Sequence, residues 1–470
     1  MKTRTDLMPQ QQAAVAKMLP TCIGALFMEM GTGKSRTAIE LALQRRARID
    51  QVVWFCPVSL KQTVRYEILK HTDCAAHDVN VFNDKTSESN LPDCFWHVVG
   101  IESMSSSTRV VCTVNKLITV RTMVIVDESS YIKGHNASRT QRITHIAARA
   151  RYRLILTGTP ISQGVIDLFA QMRFLSPKIL GYRSFYSFAA NHLEYHEKFK
   201  GMIVRAHNTE FLAAKIQPYV YQVTKDECLD LPKKLHECRY FTMTWQQREW
   251  YEQAKDELLL ECLEEDWNSI AIFRLFGALQ QIVCGFWNKT TGENTGFHEL
   301  PHSRTDTLRD TVTSIPPEEK VIIWAKYRHD IDAIVESLAD VFGADAITVY
   351  HGGLNEKKRA AQVERFRRTA RFFVATPSCG GHGLTLNEAH YVIFYNNGFK
   401  YAERLHAEDR CHRIGQEHKV VYIDLVCEDS IDERIMGALA SKGDVVEEFK
   451  TEVDKIKGQK KKLQALIKSL

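Results

Sequence analysis

Apolar positions along this chain fall into two rhythms, and their order outlines the architecture. Short, nearly unbroken apolar runs occupy residues 22–28, 51–56, 95–101, 123–126 and 153–156, each closed by a turn-former or an acid. Runs of this kind read as strands buried on both faces, as in a parallel sheet. Stretches at helical spacing, such as residues 37–43, lie between them. A second series of runs follows at 320–325, 346–350, 371–376, 391–395 and 420–426. Strands alternating with helices predict a parallel sheet with helices on both faces. The pattern occurs twice, so the fold class is α/β, two parallel-sheet lobes in tandem with short helical insertions.

Two spans depart from the alternation. Residues 163–223 carry Phe169, Phe174, Phe185, Tyr186, Phe188 and Phe199 at irregular helical spacing, and these read as core rather than as base-stacking platforms. Residues 244–284 are strongly helical. The expected organisation is a first lobe over 1–226 with a helical protrusion near 163–223, then a linker and helical insertion over 227–304. A second lobe follows over 305–454, and a basic tail over 455–470 that reads as a solvated helix end. Polar residues 84–93 and 288–295 read as surface loops.

The totals narrow the class without naming a chemistry. A chain of 470 residues, 44% hydrophobic and 25% charged, is that of a multidomain globular protein. No apolar run reaches the roughly 18 residues of a membrane span, and the N-terminus lacks the apolar core of a secretion signal. An intracellular protein of the cytoplasm or nucleoid is expected, with no membrane partner. Its compact size suits a viral or bacterial origin. Twelve scattered cysteines show neither zinc nor redox spacing and read as reduced, buried thiols. The net charge of +5 permits nucleic-acid binding but does not argue for it.

The chemistry lies at the ends of the apolar runs. Gly31-Thr32-Gly33-Lys34-Ser35 follows the first run and precedes a helix. Glycines let backbone N–H groups approach phosphates closely, and the helix adds its positive end. Lys34 would reach the β- and γ-phosphates, and Ser35 would hold Mg²⁺. The position where a first glycine is common in such loops is Met28. Another run ends in Asp127-Glu128-Ser129-Ser130. Acids at a strand tip beside a phosphate loop suit Mg²⁺ and a polarised water: Asp127 for the metal shell, Glu128 as base. Gln11, before the loop, offers a donor and an acceptor to an adenine edge.

These motifs, with Leu156-Thr157-Gly158-Thr159-Pro160, resemble the first three helicase motifs of superfamily 2. Ala407-Glu408-Asp409-Arg410-Cys411-His412-Arg413-Ile414-Gly415-Gln416 closely matches the last motif of its Swi/Snf-type branch, in the form of the annealing-helicase-like subgroup. The resemblance spans residues 7–416. It implies two RecA-like lobes with ATP and Mg²⁺ between them, and a DNA-dependent ATPase acting in replication, repair or recombination. It gives Gln11 the adenine, Lys34 and Ser35 the phosphates and metal, and Arg410 and Arg413 the γ-phosphate. Residues 376–386 resemble the fifth motif, so Thr376 and Gly380 are expected at a DNA backbone, as are Ser59, Lys61 and Ser103 on the first lobe. The implied partner is double-stranded or branched DNA, and a monomer is expected. Translocation on duplex DNA is the leading output. Strand separation, branch migration or annealing is an alternative, and a DNA-binding scaffold with a retired ATPase is another. The chain departs from the family at Ser130, where histidine is common, and at Arg36, His406 and Cys379.

Overall fold

In the computed structural model the described residues are 1–158, 160, 164–195, 203–264, 269–291, 294–380, 384–455, 460–468 and 470. Thr159, Phe199 and residues 381–383 of the fifth motif lie outside them. The chain divides into two compact units, Met1–Asp230 and Leu231–Leu470.

The first unit is built on a seven-stranded sheet. In chain order its elements are β1 (Ile23–Met28), β2 (Gln51–Cys56), β3 (Val79–Val81), β4 (Trp96–Gly100), β5 (Thr122–Asp127) and β6 (Tyr152–Thr157). A small antiparallel pair follows, β7 (Leu193–Tyr195) with β8 (Ile203–Ala206), and then β9 (Val220–Val223). The sheet order is β3-β4-β2-β5-β6-β1-β9, with every pairing parallel. Alternate residues of a strand face opposite sides, so both faces of β2 are apolar. Val53 and Phe55 join one buried cluster with Val124, Val126 and Ile143, while Val52, Trp54 and Cys56 join another with Ala38, Leu41 and Ile68.

The second unit contains β10 (Lys234–Phe241), a hairpin of β11 (Phe286–Thr291) and β12 (Asn294–Glu299), then β13 (Lys320–Trp324), β14 (Ile347–Tyr350), β15 (Phe372–Ala375), β16 (Ala389–Phe394) and β17 (Val420–Cys427). Its six-stranded sheet has the order β10-β17-β16-β13-β15-β14, again all parallel.

Four sequence expectations need correction. β9 lies inside the span read as a helical protrusion, yet it pairs with β1 at the sheet edge. β10 falls in the span read as linker and helical insertion; it is an edge strand whose mostly water-facing side chains hide it from an apolar pattern. Residues 288–291 and 294–295, read as a loop, belong to the paired strands β11 and β12, in which one wet face suffices. The tail is not a solvated end. Ile467 and Leu470 are buried in the second unit's core, and the Leu470 carbonyl accepts a 2.7 Å hydrogen bond from the Tyr251 hydroxyl. Among the described residues, no helix is long and apolar enough to cross a membrane.

Candidate active site

Parallel topology places the C-terminal tips of all strands along one edge, where α/β sheets bind ligands. On the first unit the sheet order lines up the motifs that sequence separates. The tip of β4 leads to Ser103, β2 to Ser59 and Lys61, β5 to Asp127 and Glu128, β6 to Thr157 and Gly158, and β1 to the phosphate loop.

The loop is closed on itself. Lys34 begins the helix Lys34–Gln44 and Ser35 is its second residue. The Lys34 ammonium donates to the carbonyls of Met28 (2.8 Å) and Glu29 (3.2 Å), so position 28 serves through its carbonyl rather than its side chain. Gly33 caps the helix with φ +96°, in the left-handed region that favours glycine. A methyl group there would also collide with the Gln11 amide, its nitrogen 1.9 Å away. Gln11 is buried. Its carboxamide oxygen accepts from the Met8 N–H (3.1 Å), and its nitrogen donates to the Thr32 carbonyl (3.5 Å), a bond Gln10 also makes at 3.3 Å. Gln11 therefore rests on the phosphate loop itself. Thr32 is fully buried, and Gly31 takes φ +82°. Arg36 binds the N-terminal arm through the Thr5 hydroxyl (2.9 Å) and carbonyl (2.6 Å), and its own helix through Glu40 (2.8 Å).

Next to the loop stands the acid pair. Both carboxylates are nearly buried. Burial, and then the neighbouring Glu128 charge, push the Asp127 carboxyl up to about 6. Asp127 accepts from the Trp54 indole N–H at 3.4 Å and from the Glu128 backbone N–H at 3.0 Å. Glu128 sits at φ +53°, a left-handed conformation that is strained for a residue with a Cβ. Its Oε1 accepts from the Ser130 hydroxyl at 3.2 Å and the Thr157 hydroxyl at 3.3 Å. Ser130 thus makes a contact to the acid pair from the position where histidine is common. Ser129 donates to Gln171 Oε1 (2.6 Å), and Gln171 donates to the Pro160 carbonyl (2.8 Å), linking the second motif to the third. Gly158 lies against the loop: a methyl on it would sit 3.2 Å from the Met30 nitrogen and 3.5 Å from Lys34 Nζ.

The two stretches of the first unit expected at a DNA backbone meet as well. The Val58 N–H donates to the Glu102 carboxylate at 3.0 Å, which brings Ser59 and Ser103 to neighbouring strand tips. Ser59 is exposed, Ser103 half-buried, and Lys61 donates to the Phe82 carbonyl at 2.8 Å.

On the second unit, Arg410 and Arg413 both donate to the Leu384 carbonyl at 3.2 Å. Arg410 is buried and also holds the His406 carbonyl (2.8 Å); Arg413 is half-buried. The rest of the last motif is scaffolding. Gln416 donates to the carbonyls of Asn387, Ala389 and Cys411, and His412 pairs with the Pro232 carbonyl at 2.8 Å. Thr376 is buried, and its carbonyl accepts from the N–H groups of Cys379 and Gly380. Gly380 has a packing reason to be glycine, because a methyl there would lie 2.6 Å from the Trp324 ring. Its N–H is engaged within its own turn, at 2.8 Å from the Thr376 carbonyl.

Trp54 and Thr157 were not singled out by sequence as partners of the acid pair. Only adjacency in the sheet reveals them, since Trp54 and Asp127 are 73 positions apart.

Two family models match the chain: the SNF2-related domain over residues 12–285 and the helicase conserved C-terminal domain over residues 303–415. An uncharacterized ATP-dependent helicase of Mycoplasma pneumoniae is 26% identical over 331 residues, 69% of this chain and 30% of that protein. The human DNA annealing helicase and endonuclease ZRANB3 is 24% identical over 446 residues, 93% of this chain and 39% of that protein. The chain therefore spans less than half the length of these curated relatives. Among solved structures, the Pyrococcus furiosus Hef helicase domain aligns with a TM-score of 0.55 over 92% of this chain and 97% of its own, at 13% identity, a likeness of fold.

Proposed function

Because the chain belongs to the SNF2-related domain family, we propose that it is a DNA-dependent ATPase that moves along double-stranded DNA. The observation that carries this reading is the line of groups on the edge of the first sheet: phosphate loop, acid pair and two backbone-contact stretches on adjacent strand tips. A site arranged this way can pass a change at the phosphates to a DNA grip a few strands away.

ATP and Mg²⁺ suit the groups present. The Ser35 hydroxyl and Asp127 carboxylate are hard oxygen donors of the kind Mg²⁺ prefers. The two buried carboxylates, one pushed up to about 6 by burial and its neighbour, would be eased by a cation. Bound there, Mg²⁺ supplies charge neutralisation at the β- and γ-phosphates. Lys34 exchanges its loop carbonyls for phosphate oxygens, and Gln11 stands by for the adenine. Glu128, held by Ser130 and Thr157, orients the attacking water and takes its proton. Arg410 and Arg413 offer guanidinium forks to the γ-phosphate, a group always charged and shaped for phosphate oxygens. Backbone contacts through Ser59, Lys61, Ser103 and Thr376 predict weak sequence preference and strong salt dependence.

The test is ATP turnover with and without duplex DNA across a salt series. Turnover stimulated by duplex and quenched by salt is expected; equal rates with and without DNA overturn the reading. The likeness to an annealing helicase favours a second output, remodelling of branched DNA. Forked and four-way substrates compared with blunt duplex separate the two.

A further inference from the structure

A second hollow on the first unit is unused by the site described above. It encloses about 480 Å³, within the range of small-ligand pockets, between the helices Ser138–Ala147 and Ile166–Leu175 and the turn into Phe185–His192. Its chemistry is one-sided. Arg173 and Arg183 line it, with His135 and His145 and no acid among the described residues. Both arginines are exposed, and neither has a carboxylate within ion-pair reach among the described residues.

The other wall is aromatic. His135 stacks on Phe185 with ring centres 3.7 Å apart and planes 13° from parallel. Burial and the nearby Arg173 charge lower the His135 pKa, which favours the neutral ring that stacks best. Tyr186, next to that stack, is 81% exposed, whereas Phe169, Phe174 and Phe188 are at most 2% exposed. The aromatic residues of this segment therefore divide: three are core, as the sequence suggests, and Tyr186 is not. The Thr140 hydroxyl also lines the hollow, and it is buried with no hydrogen-bond partner among the described residues. An unpaired buried hydroxyl costs roughly 1–3 kcal/mol, and a polar ligand would remove that cost.

Unopposed guanidinium groups, an exposed ring beside a stacked pair and an unpaired hydroxyl together recognise an anion carrying a flat heterocycle. We propose that this hollow binds one unstacked nucleotide, its base against Tyr186, its phosphate at Arg173 and Arg183, and a polar edge at Thr140. A single strand fits better than a free nucleotide, because Gln141 and His145 also line a neighbouring hollow of about 500 Å³, leaving that end open for the chain to continue. The site is separate from the phosphate loop and would hold a displaced strand or a DNA end.

The test uses the full chain without ATP and a short fluorescent oligothymidylate carrying one 5-iodouracil. Photo-crosslinking should join the base to the peptide containing Tyr186. Tyr186→Ala should weaken oligothymidylate binding roughly tenfold, within the span of one base–aromatic stack. Arg173→Ala with Arg183→Ala should weaken it at least as much and flatten its salt dependence. All three positions are exposed, so thermal midpoint and duplex-stimulated ATP turnover should stay at wild-type values. Competition by a mononucleotide as effective as by the oligonucleotide would assign the pocket to a free nucleotide and overturn the strand assignment. Crosslinks elsewhere, or affinities within twofold of wild type in both variants, overturn the site. Loss of ATP turnover in Lys34→Ala would leave this outcome untouched, so the two sites can fail independently.

Discussion

The two units hold the charged groups of the proposed ATPase in different ways. On the first, three charged groups are already engaged by their own surroundings: Lys34 by two loop carbonyls, Glu128 by two hydroxyls, Asp127 by an indole and a backbone N–H. These partners come from four strands, and the site holds cation, anion and hydroxyl together. On the second, Arg410 and Arg413 converge on one carbonyl, that of Leu384. The first unit brings together the lysine, the two carboxylates and the hydroxyls to which the proposed reading gives phosphate contact, metal and base. The residues of the second unit assigned to it by that reading, Arg410 and Arg413, are both cations. The contrast teaches that substitutions on the second lobe should impair hydrolysis without impairing ATP binding.

The largest effects should fall on the first unit. Lys34→Ala should remove both binding of a fluorescent ATP analogue and turnover, and Glu128→Gln should keep binding but bring turnover below detection. On the second unit, Arg413→Ala should lower turnover by roughly 10³–10⁵, as for arginine fingers in related hydrolases, while ATP affinity stays within a few-fold of wild type. If Arg413→Ala abolished binding as Lys34→Ala does, the division between the lobes would fail.

How far this was legible beforehand differs by element. The central strands announce themselves because both faces are buried, so β2 is apolar from Val52 to Cys56 and β5 from Met123 to Val126. Edge strands have no such constraint. β10 displays Glu237 and Arg239 to water, and nothing in its pattern separates it from a linker. The phosphate loop and acid pair were readable because their chemistry needs residues at fixed local spacing. Their supports were not. Thr157 reaches Glu128 only because β5 and β6 are neighbours in the sheet. Glycine was ambiguous in a different way: at Gly33 the backbone conformation demands it, while at Gly380 the Trp324 ring does. Sequence alone assigns both to phosphate.

A smaller effect tests whether the first unit stores electrostatic cost before any nucleotide arrives. The Asp127 carboxyl stands at about 6, above its ordinary 3.8, through burial and then the Glu128 charge. A carboxyl raised on folding is destabilising when ionised, so the penalty is full above about pH 6 and vanishes as pH falls toward 3.8. Asp127→Asn removes the charge that is penalised. It should therefore stabilise the nucleotide-free protein at pH 7.5 by about 2–3 kcal/mol, the free-energy equivalent of that rise in pKa. The gain should shrink as denaturation is repeated down to pH 5. A constant difference across that range would mean that the substitution acts through packing. No comparable gain is expected from Arg413→Ala on the second unit.

The smallest expected effect is the most specific to this chain. Glu128 Oε1 takes its two hydroxyl donors from different motifs, Ser130 from its own turn and Thr157 from the adjacent strand. A hydrogen bond to a charged group contributes about 1.5–3 kcal/mol, but losing one of two leaves the carboxylate still held. Ser130→Ala and Thr157→Val should each slow turnover roughly tenfold, corresponding to about 1.4 kcal/mol, with ATP affinity unchanged. The pair together should lose more than the product of the singles, because only the double variant frees a strained, buried carboxylate from both anchors. If the losses simply multiply, each hydroxyl acts alone and the left-handed Glu128 turn is enough to aim the base. If Ser130→Ala has no effect while Thr157→Val does, the contact that replaces the family's histidine is idle, and the orientation of Glu128 comes from the third motif.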